Sequence, residues 1–377
     1  MIRAHQVARE ALQLRDWARR LLLGDAPPTA PPRARAESWQ FFSHMEWCAL
    51  PLQRRLESAR ADGLLDPAAR TVLEAAAALE AGRVQSARAR LAELAQLAQR
   101  RDVRIVVLKG GVAVAGGVDL HLEDIDLATD PDTAARLVDE LDPGARHGLW
   151  TLGQYRIDPA TPADVAVEIH DSVRELDSMS GLLAGALPLP GQRGLLRPDP
   201  CRHLWHLLTH ATATHPDRVA RLRDVLLLRM TLAECTETGL NELAARAAAE
   251  PEATSLLAVL AMARTGALDP DVERCVRRRY FLLARWHWLG RRRALHLLLT
   301  SASELTSRPR GRVLRRLFAR PDRPSAFPGM QALFTLAPRV DSALRMAFRP
   351  AVLLGALGLT AAASLEERLH ARTARRG

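Results

Sequence analysis

The stretch VRIVVLKGGVAVAGGVDLHLEDIDLA, residues 103–128, limits what this chain can fold into more than any other. A short β-branched run ends in Lys109, Gly110 and Gly111. A second extended run through Leu120, Leu122, Ile125 and Leu127 carries Asp124 and Asp126 on either side of one isoleucine. Side chains alternate along a strand, so the two aspartates share one face and Ile125 takes the other. Carboxylates placed this way can hold divalent cations, and glycines without a Cβ let backbone amides approach phosphate oxygens closely. The combination suggests a site for a metal-bound triphosphate. Lys109 is the only lysine, whereas every other member of the 53 Lys plus Arg residues is arginine. In a chain whose default cation is arginine, a lone lysine points to a geometric need for a compact charge.

Helical spacing dominates on both sides of this stretch. Val7, Leu12, Trp17 and Leu21 predict a helix from His5 to Leu23, followed by the proline-rich linker DAPPTAPPRA. Trp39, Phe42, Met45 and Leu50 predict a second helix from Ser38 to Arg60, interrupted at Pro51. Asp66 and Pro67 start a third that runs to about Arg101, with a break expected near Gly82. After the aspartates, DTAARLVDEL reads as a helix, and LWTLGQYRI and DVAVEIHDS read as strands. In the second of these, Glu168 and His170 alternate with Val167 and Ile169 and fall on one face, where Glu168 can supply a third carboxylate. Beyond LPLPGQRGLLRPDP the chain turns helical at residues 201–212 and 218–231. From Asn241 a series of arginine-studded helices follows, interrupted at Pro251, Pro270, Pro309 and Pro324. The expected fold is α+β and mostly helical, with a helical region over 1–100, a small sheet core over 101–185 and a helical domain over 195–377.

A formal charge of +10 is compatible with an anionic partner, but a solvated arginine-rich surface is the favoured reading. The same preference applies to ERCVRRRYFLLARWHWLGRRRALHLLL, read as a core face bearing Tyr280, Phe281, Trp286 and Trp288 with arginines outside. Cys48, Cys201, Cys235 and Cys275 are too widely spaced for a zinc pair and do not form a small disulfide framework. With a charged N-terminal segment that lacks the apolar core of a signal peptide, this points to the cytoplasm. The longest apolar stretch, Ala351 to Ser364, is too short to span a bilayer. His203, His206 and His210 share a helix face, with His215 following, and are read as packing toward the site or lying on a polar surface rather than as a zinc centre. Asp224 is expected to pair with Arg221 or Arg223. The GxSxG, GxGxxG and GK[ST] signatures are absent.

The Gly-Gly pair, the Asp-apolar-Asp strand and the later single carboxylate resemble the DNA polymerase β-type nucleotidyltransferase superfamily. More closely, VVLKGG, EDIDLA and VEIHDS, with ESWQFFSHMEWCALPLQRRLESA before them and HLWHLLTHATATHPDRVARLRDVLLL after, resemble a bacterial branch of uncharacterised nucleotidyltransferases. The likeness covers roughly residues 38–230. It implies a small polymerase β-like mixed sheet between helical regions. It also implies that Asp124 and Asp126 bind two Mg2+ ions, or Mn2+ in their place, with Glu168 as the third carboxylate that orients or deprotonates an acceptor hydroxyl. Gly110 and Gly111 would cradle the triphosphate beside Lys109. His121 stands where the family has an arginine, and His170, from the face it shares with Glu168, is read either as a contact to the acceptor or a phosphate or as a structural histidine. This chain departs from the pattern in a shorter loop before EDIDLA, in Glu123, and in Val112 where the superfamily has a serine.

The implied activity is transfer of a nucleoside monophosphate from a Mg2+-bound nucleoside triphosphate to a small-molecule, peptide or protein acceptor. Two other readings use the same residues: a nucleotide-binding scaffold whose site has decayed, and an RNA-directed nucleotidyltransferase, with nucleic acid the less favoured partner.

Overall fold

Apolar residues at helical spacing fold the first hundred positions into α1 (Ile2–Leu23), α2 (Ala36–Glu46), α3 (Ala49–Ser58) and α4 (Pro67–Arg101). The computed structural model describes residues 2–288, apart from 25, 26, 28, 142–145, 148–153, 160, 162–163, 172, 174–177, 215–219 and 251–252. Asp66 caps α4 by accepting a hydrogen bond from the Ala69 N–H, and Pro67 fills the first turn. The helix runs unbroken through Gly82, contrary to the expected interruption. A mid-helix glycine costs only about 1 kcal/mol. That is small against the burial of Leu73, Ala77, Val84, Leu91 and Leu94 along one stripe on both sides of it.

The break between α2 and α3 falls at Trp47 and Cys48 rather than at Pro51. Trp47 adopts a left-handed φ of 48° and donates its N–H to the Ser43 carbonyl. The first amides of α3 are then satisfied from α4, where the Glu80 carboxylate accepts from Ala49 N–H (3.1 Å) and Leu50 N–H (2.8 Å). Pro51 therefore sits in the first turn, where a missing N–H does no harm. Burial pushes the Glu80 carboxyl up to about 7, against the pull of those two amides.

One seven-stranded mixed sheet lies at the centre of the chain. Its elements are β1 (Ile105–Val107), α5 (Gly110–Ala115), β2 (Asp124–Ala128), α6 (Pro131–Leu141), β3 (Arg146–His147), β4 (Gln154–Ile157), β5 (Ala166–His170), α7 (Met179–Ala184), β6 (Leu187–Pro188) and β7 (Leu195–Arg197). The strand order is β3-β4-β5-β2-β1-β7-β6. β2 runs antiparallel to β1 and parallel to β5, β4 runs antiparallel to β5, and β7 runs parallel to β1. The proline-rich segment read as a connection thus adds two strands, and the sheet extends past residue 185. Both are very short, and β6 carries Pro188 at the sheet edge, where a missing ladder donor is tolerated.

Alternation gives the sheet two different faces. Ile105, Val107, Ile125, Leu127, Val167 and Ile169 join the main core shared with the helices. On the opposite face Val106, Leu108 and Ala128 pack with Leu182 of α7 in a smaller cluster, beside the charged residues described below.

The chain continues through α8 (Pro200–Thr209), a π-helical turn (His210–Thr214), α9 (Leu222–Leu232), α10 (Glu237–Ala249), α11 (Ala253–Thr265) and α12 (Pro270–Trp288). The architecture is α+β and mostly helical. Among the described residues no helix is long and apolar enough to cross a membrane. Of the aromatic run, Tyr280 is fully buried and Phe281 stacks on His5 with ring centroids 4.5 Å apart, so its described part is a core face. The side chains of Trp286 and Trp288, His215, the helices expected around Pro309 and Pro324, and the apolar stretch from Ala351 lie outside the described residues.

Four helices meet at Glu46, which is 0% exposed at the end of α2. Its carboxylate accepts hydrogen bonds from Leu222 N–H of α9, Arg279 Nη2 and the Tyr280 hydroxyl of α12, each at 2.7 Å, and Arg15 Nε of α1 lies 3.4 Å away. Breaking a buried pair leaves an uncompensated charge. Glu46→Gln should therefore destabilise the protein by about 3–5 kcal/mol, read as a lower urea midpoint at unchanged m-value. A loss below about 1 kcal/mol would mean that the two arginines find other partners.

Candidate functional site

Register decides which polar side chains meet. In the parallel pairing of β2 with β5, Asp126 lies opposite Glu168 and Ala128 opposite His170, so Asp124, Asp126, Glu168 and His170 all project from one face. In the antiparallel pairing of β4 with β5, Arg156 lies opposite Glu168 and joins the same face. The site is therefore built on three neighbouring strands, which hold side chains more firmly than loops do.

Asp126 is the buried centre, 2% exposed. Its Oδ1 accepts from Lys109 Nζ at 2.7 Å and from His170 Nε2 at 3.2 Å. Burial disfavours the carboxylate, but the Lys109 charge and the His170 hydrogen bond prevail and hold Asp126 well below the usual carboxylate range. The same balance acts on Lys109: burial opposes its charge, and attraction by Asp126, Asp124 and Glu168 raises it above an ordinary lysine. Asp124 goes the other way. Burial and the neighbouring Asp126 and Glu168 charges push its carboxyl up to about 7, with Lys109 only partly offsetting them. Arg156 Nη1 is hydrogen-bonded to Glu168 Oε1 and lies 3.9 Å from Asp124 Oδ2, while its Nε donates to Asp158 at 2.9 Å. His170 Nε2 is 3.9 Å from Glu168 Oε2. One donor atom each from Asp126, Glu168 and His170 lie within 4.8 Å of one another, and these three residues are the group able to hold a metal ion among the described residues.

The turn after β1 presents Lys109 in an unusual conformation, φ 49° and ψ −133°. Such a backbone costs on the order of 1–3 kcal/mol and persists only where its surroundings fix it. Here the Lys109 carbonyl accepts a hydrogen bond from the buried His203 of α8, and its Nζ is tied to Asp126. Gly110 and Gly111 serve the packing of this turn. A Cβ on Gly110 would collide with Leu122 and with the Arg223 guanidinium, and one on Gly111 would come within 2.7 Å of Val107 Cγ1. The Gly111 amide donates inward to the Leu108 carbonyl at 3.2 Å, so the expected phosphate cradle does not have that donor in this conformation.

His121 is not among the carboxylates. It is 3% exposed, tilted against Trp47 at 4.7 Å between ring centroids, and its Nε2 is 3.3 Å from Arg83 Nη1. An arginine can only donate, so Nε2 is the bare nitrogen and the imidazole is neutral. The His121 carbonyl accepts from Arg223 Nε at 3.0 Å, Arg223 Nη1 pairs with Asp224 at 2.7 Å, and Arg221 stacks over Trp47 at 3.9 Å. This cationic layer supports the loop that leads into β2. The Asp224 ion pair is the structural one expected. Of the α8 histidines, His203 packs toward the site as expected, through Lys109. His206 and His210 have ring centroids 5.8 Å apart and belong to no metal-binding group among the described residues.

Sequence reasoning missed Arg156 as a member of the site and His170 as a member of the ligand group. The available signal for Arg156 was a single arginine between two buried strand residues, Tyr155 and Ile157. Its partner depends on an antiparallel register that the sequence does not display. No family model, curated protein or solved structure matches the chain.

Burial first, then nearby cations, push His121 down to about 2, while burial and the neighbouring His206 push His203 down to about 3. Unfolded histidines titrate near 6.5. The stability these two contribute is thus fully present above that pH and is lost as pH falls from about 6.5 toward 3. Asp124, raised to about 7, acts in the opposite sense, losing stability as pH rises from about 4 through 7. His121→Gln, which keeps an acceptor for Arg83, should lose about 2 kcal/mol less than the wild type between pH 7 and pH 5, measured by urea unfolding at both pH values. Equal losses in the two proteins would show that His121 titrates normally in the fold.

Proposed function

We propose that the chain is a metal-dependent nucleotidyltransferase, acting on a nucleoside triphosphate and an acceptor hydroxyl or phosphate. The observation that carries this reading is the register pairing of Asp126 with Glu168 on adjacent parallel strands, with Asp124 two residues earlier on the same face and Lys109 over Asp126. The sheet is mixed, with β2 antiparallel to β1 and parallel to the strand of the third carboxylate, and a mixed sheet is what the motif resemblance implies.

The donor set fits a divalent cation. Two carboxylates and an imidazole converge within 4.8 Å, and two cationic side chains, Lys109 and Arg156, are already drawn to them. A bound divalent ion supplies Lewis-acid charge to phosphoryl oxygens and lowers the pKa of a coordinated hydroxyl. The chain's own residues divide the remaining work. Glu168, partly buried and hydrogen-bonded to Arg156, orients the acceptor and can take its proton. Lys109 supplies a compact positive charge to the phosphates once Asp126 is compensated otherwise. Arg156 neutralises charge between Asp124 and Glu168. The inward Gly111 amide favours a second reading, a scaffold that binds nucleotide without turning it over.

Pyrophosphate release from each of the four nucleoside triphosphates, with Mg2+ or Mn2+ and a panel of acceptors that includes the protein itself, separates the two. Transfer should fall at least about 10²-fold in Asp124→Ala plus Asp126→Ala. Nucleotide binding by the wild type with no pyrophosphate from any combination would sustain the scaffold instead. Lys109→Arg should cost about tenfold in kcat/KM, because a planar guanidinium enters a tight turn in place of a point charge. Unchanged turnover would make the lone lysine dispensable.

A further inference from the structure

We infer that Asp126, Glu168 and His170 form a mixed carboxylate–imidazole site for one transition-metal cation of the Mn2+ class, in which His170 Nε2 is a direct ligand. The inference rests on the proposed function and deepens it: the cation of that reading lies on residues 126, 168 and 170, and Asp124 stands outside the set.

The spacing carries the argument. Donor atoms about 2.1 Å from a shared octahedral ion lie about 3 to 4.2 Å apart. His170 Nε2 is 3.2 Å from Asp126 Oδ1, close to the lower of those spacings, and 3.9 Å from Glu168 Oε2, and all three donors lie within 4.8 Å of one another, so side-chain rotation alone can close the set on one ion. Register makes the triad rigid, because Glu168 is the direct cross-strand partner of Asp126 and His170 lies two residues on along the same face. Asp124 lies opposite Ala166, so it has no carboxylate across the ladder, and its Oδ2 turns toward Arg156 instead.

The charge already at the triad points the same way. The Lys109 ammonium, from a different element and from a strained turn, is seated on Asp126 Oδ1 at 2.7 Å. A positive charge is thus already held at the place the cation would take. The donor chemistry then selects the ion. An imidazole nitrogen with two carboxylate oxygens suits a first-row divalent ion, from Mn2+ to Zn2+, with Mn2+ the spectroscopic probe of the class, whereas Mg2+ prefers oxygen ligands and retained water. The ionised Asp126 can only accept, so His170 Nε2 now carries the proton. When the cation binds, that proton passes to Nδ1 and the Nε2 lone pair becomes the ligand. Lys109 Nζ must leave Oδ1 in the same exchange.

Mn2+ titration of the full chain without nucleotide, followed by electron paramagnetic resonance, tests this directly. One bound Mn2+ per chain is expected, with nitrogen coupling in pulsed spectra that disappears in His170→Phe, and with at least about tenfold weaker binding in that variant. Lys109→Met should bind Mn2+ more tightly than the wild type, a change that a folding defect would not produce. No bound Mn2+, an oxygen-only coordination sphere, or equal affinity in His170→Phe would each overturn the site. Nitrogen-coupled Mn2+ without pyrophosphate release would leave this inference standing and remove the nucleotidyltransferase reading. Release supported by Mg2+ with an oxygen-only Mn2+ sphere would do the reverse.

Discussion

Charge compensation on one face of a sheet is the constraint on which the rest depends. Three carboxylates from β2 and β5 face the same way, and one of them is almost wholly shielded from water. An uncompensated buried carboxylate is costly enough that a protein would sooner protonate it or supply a cation. Both responses occur here. Lys109 and Arg156 approach from opposite flanks, one from the turn after β1 and the other from β4, and Asp124 is pushed toward the neutral form. The lone lysine acquires a physical reason in this arrangement. Asp126 Oδ1 lies between Lys109 Nζ and the His170 ring, a space suited to one compact ammonium and poorly suited to a planar guanidinium.

The helices position that lysine. Its backbone is strained, and the elements that hold it come from far along the chain: His203 on α8 binds its carbonyl, and Arg223 on α9 packs against Gly110. α9 is itself anchored where the Leu222 N–H donates to Glu46, the carboxylate that also ties α1, α2 and α12 together. A line of contacts thus runs from the helical core to the site through one buried acid and two helix starts. This explains why a small sheet is embedded in so much helix. The sheet supplies the carboxylates, and the helices fix the conformation of the cation that faces them.

What the sequence made legible follows from period and chemistry. Asp124 and Asp126 flank one isoleucine, and Glu168 and His170 flank another, so their faces can be read from alternation alone, and the sheet respects both. Local rules also give α4, from its aspartate cap and proline start. What stayed hidden depends on contacts distant in sequence. The cross-strand neighbour of Glu168 is an arginine that no local pattern marks. The two strands that extend the sheet are so short, and so rich in neighbouring prolines, that only the pairing of β7 with β1 and of β6 with β7 defines them. His121 stands where the resembling motif has an arginine, yet its pocket of Trp47, Arg83 and Arg223 is assembled from three separate helices or helix ends. The glycine pair looks the same in sequence whether it leaves room for a phosphate or for Arg223. Only the packed structure distinguishes these, and here Arg223 occupies that space.

The cations that compensate this face are, in the proposed function, also the ones an incoming ligand would displace. In the reading proposed above, a divalent ion on Asp126 would take the place of Lys109, so its binding would exchange one positive charge for two, with a net gain smaller than the donor set alone suggests. The released ammonium, still within the field of Asp124 and Glu168, then needs a new anion. In the proposed function a phosphate arriving with the metal would meet that need and so couple the two ligands. On this view the lysine serves the ligand-free and the liganded states in turn, through one side chain that has two alternative partners.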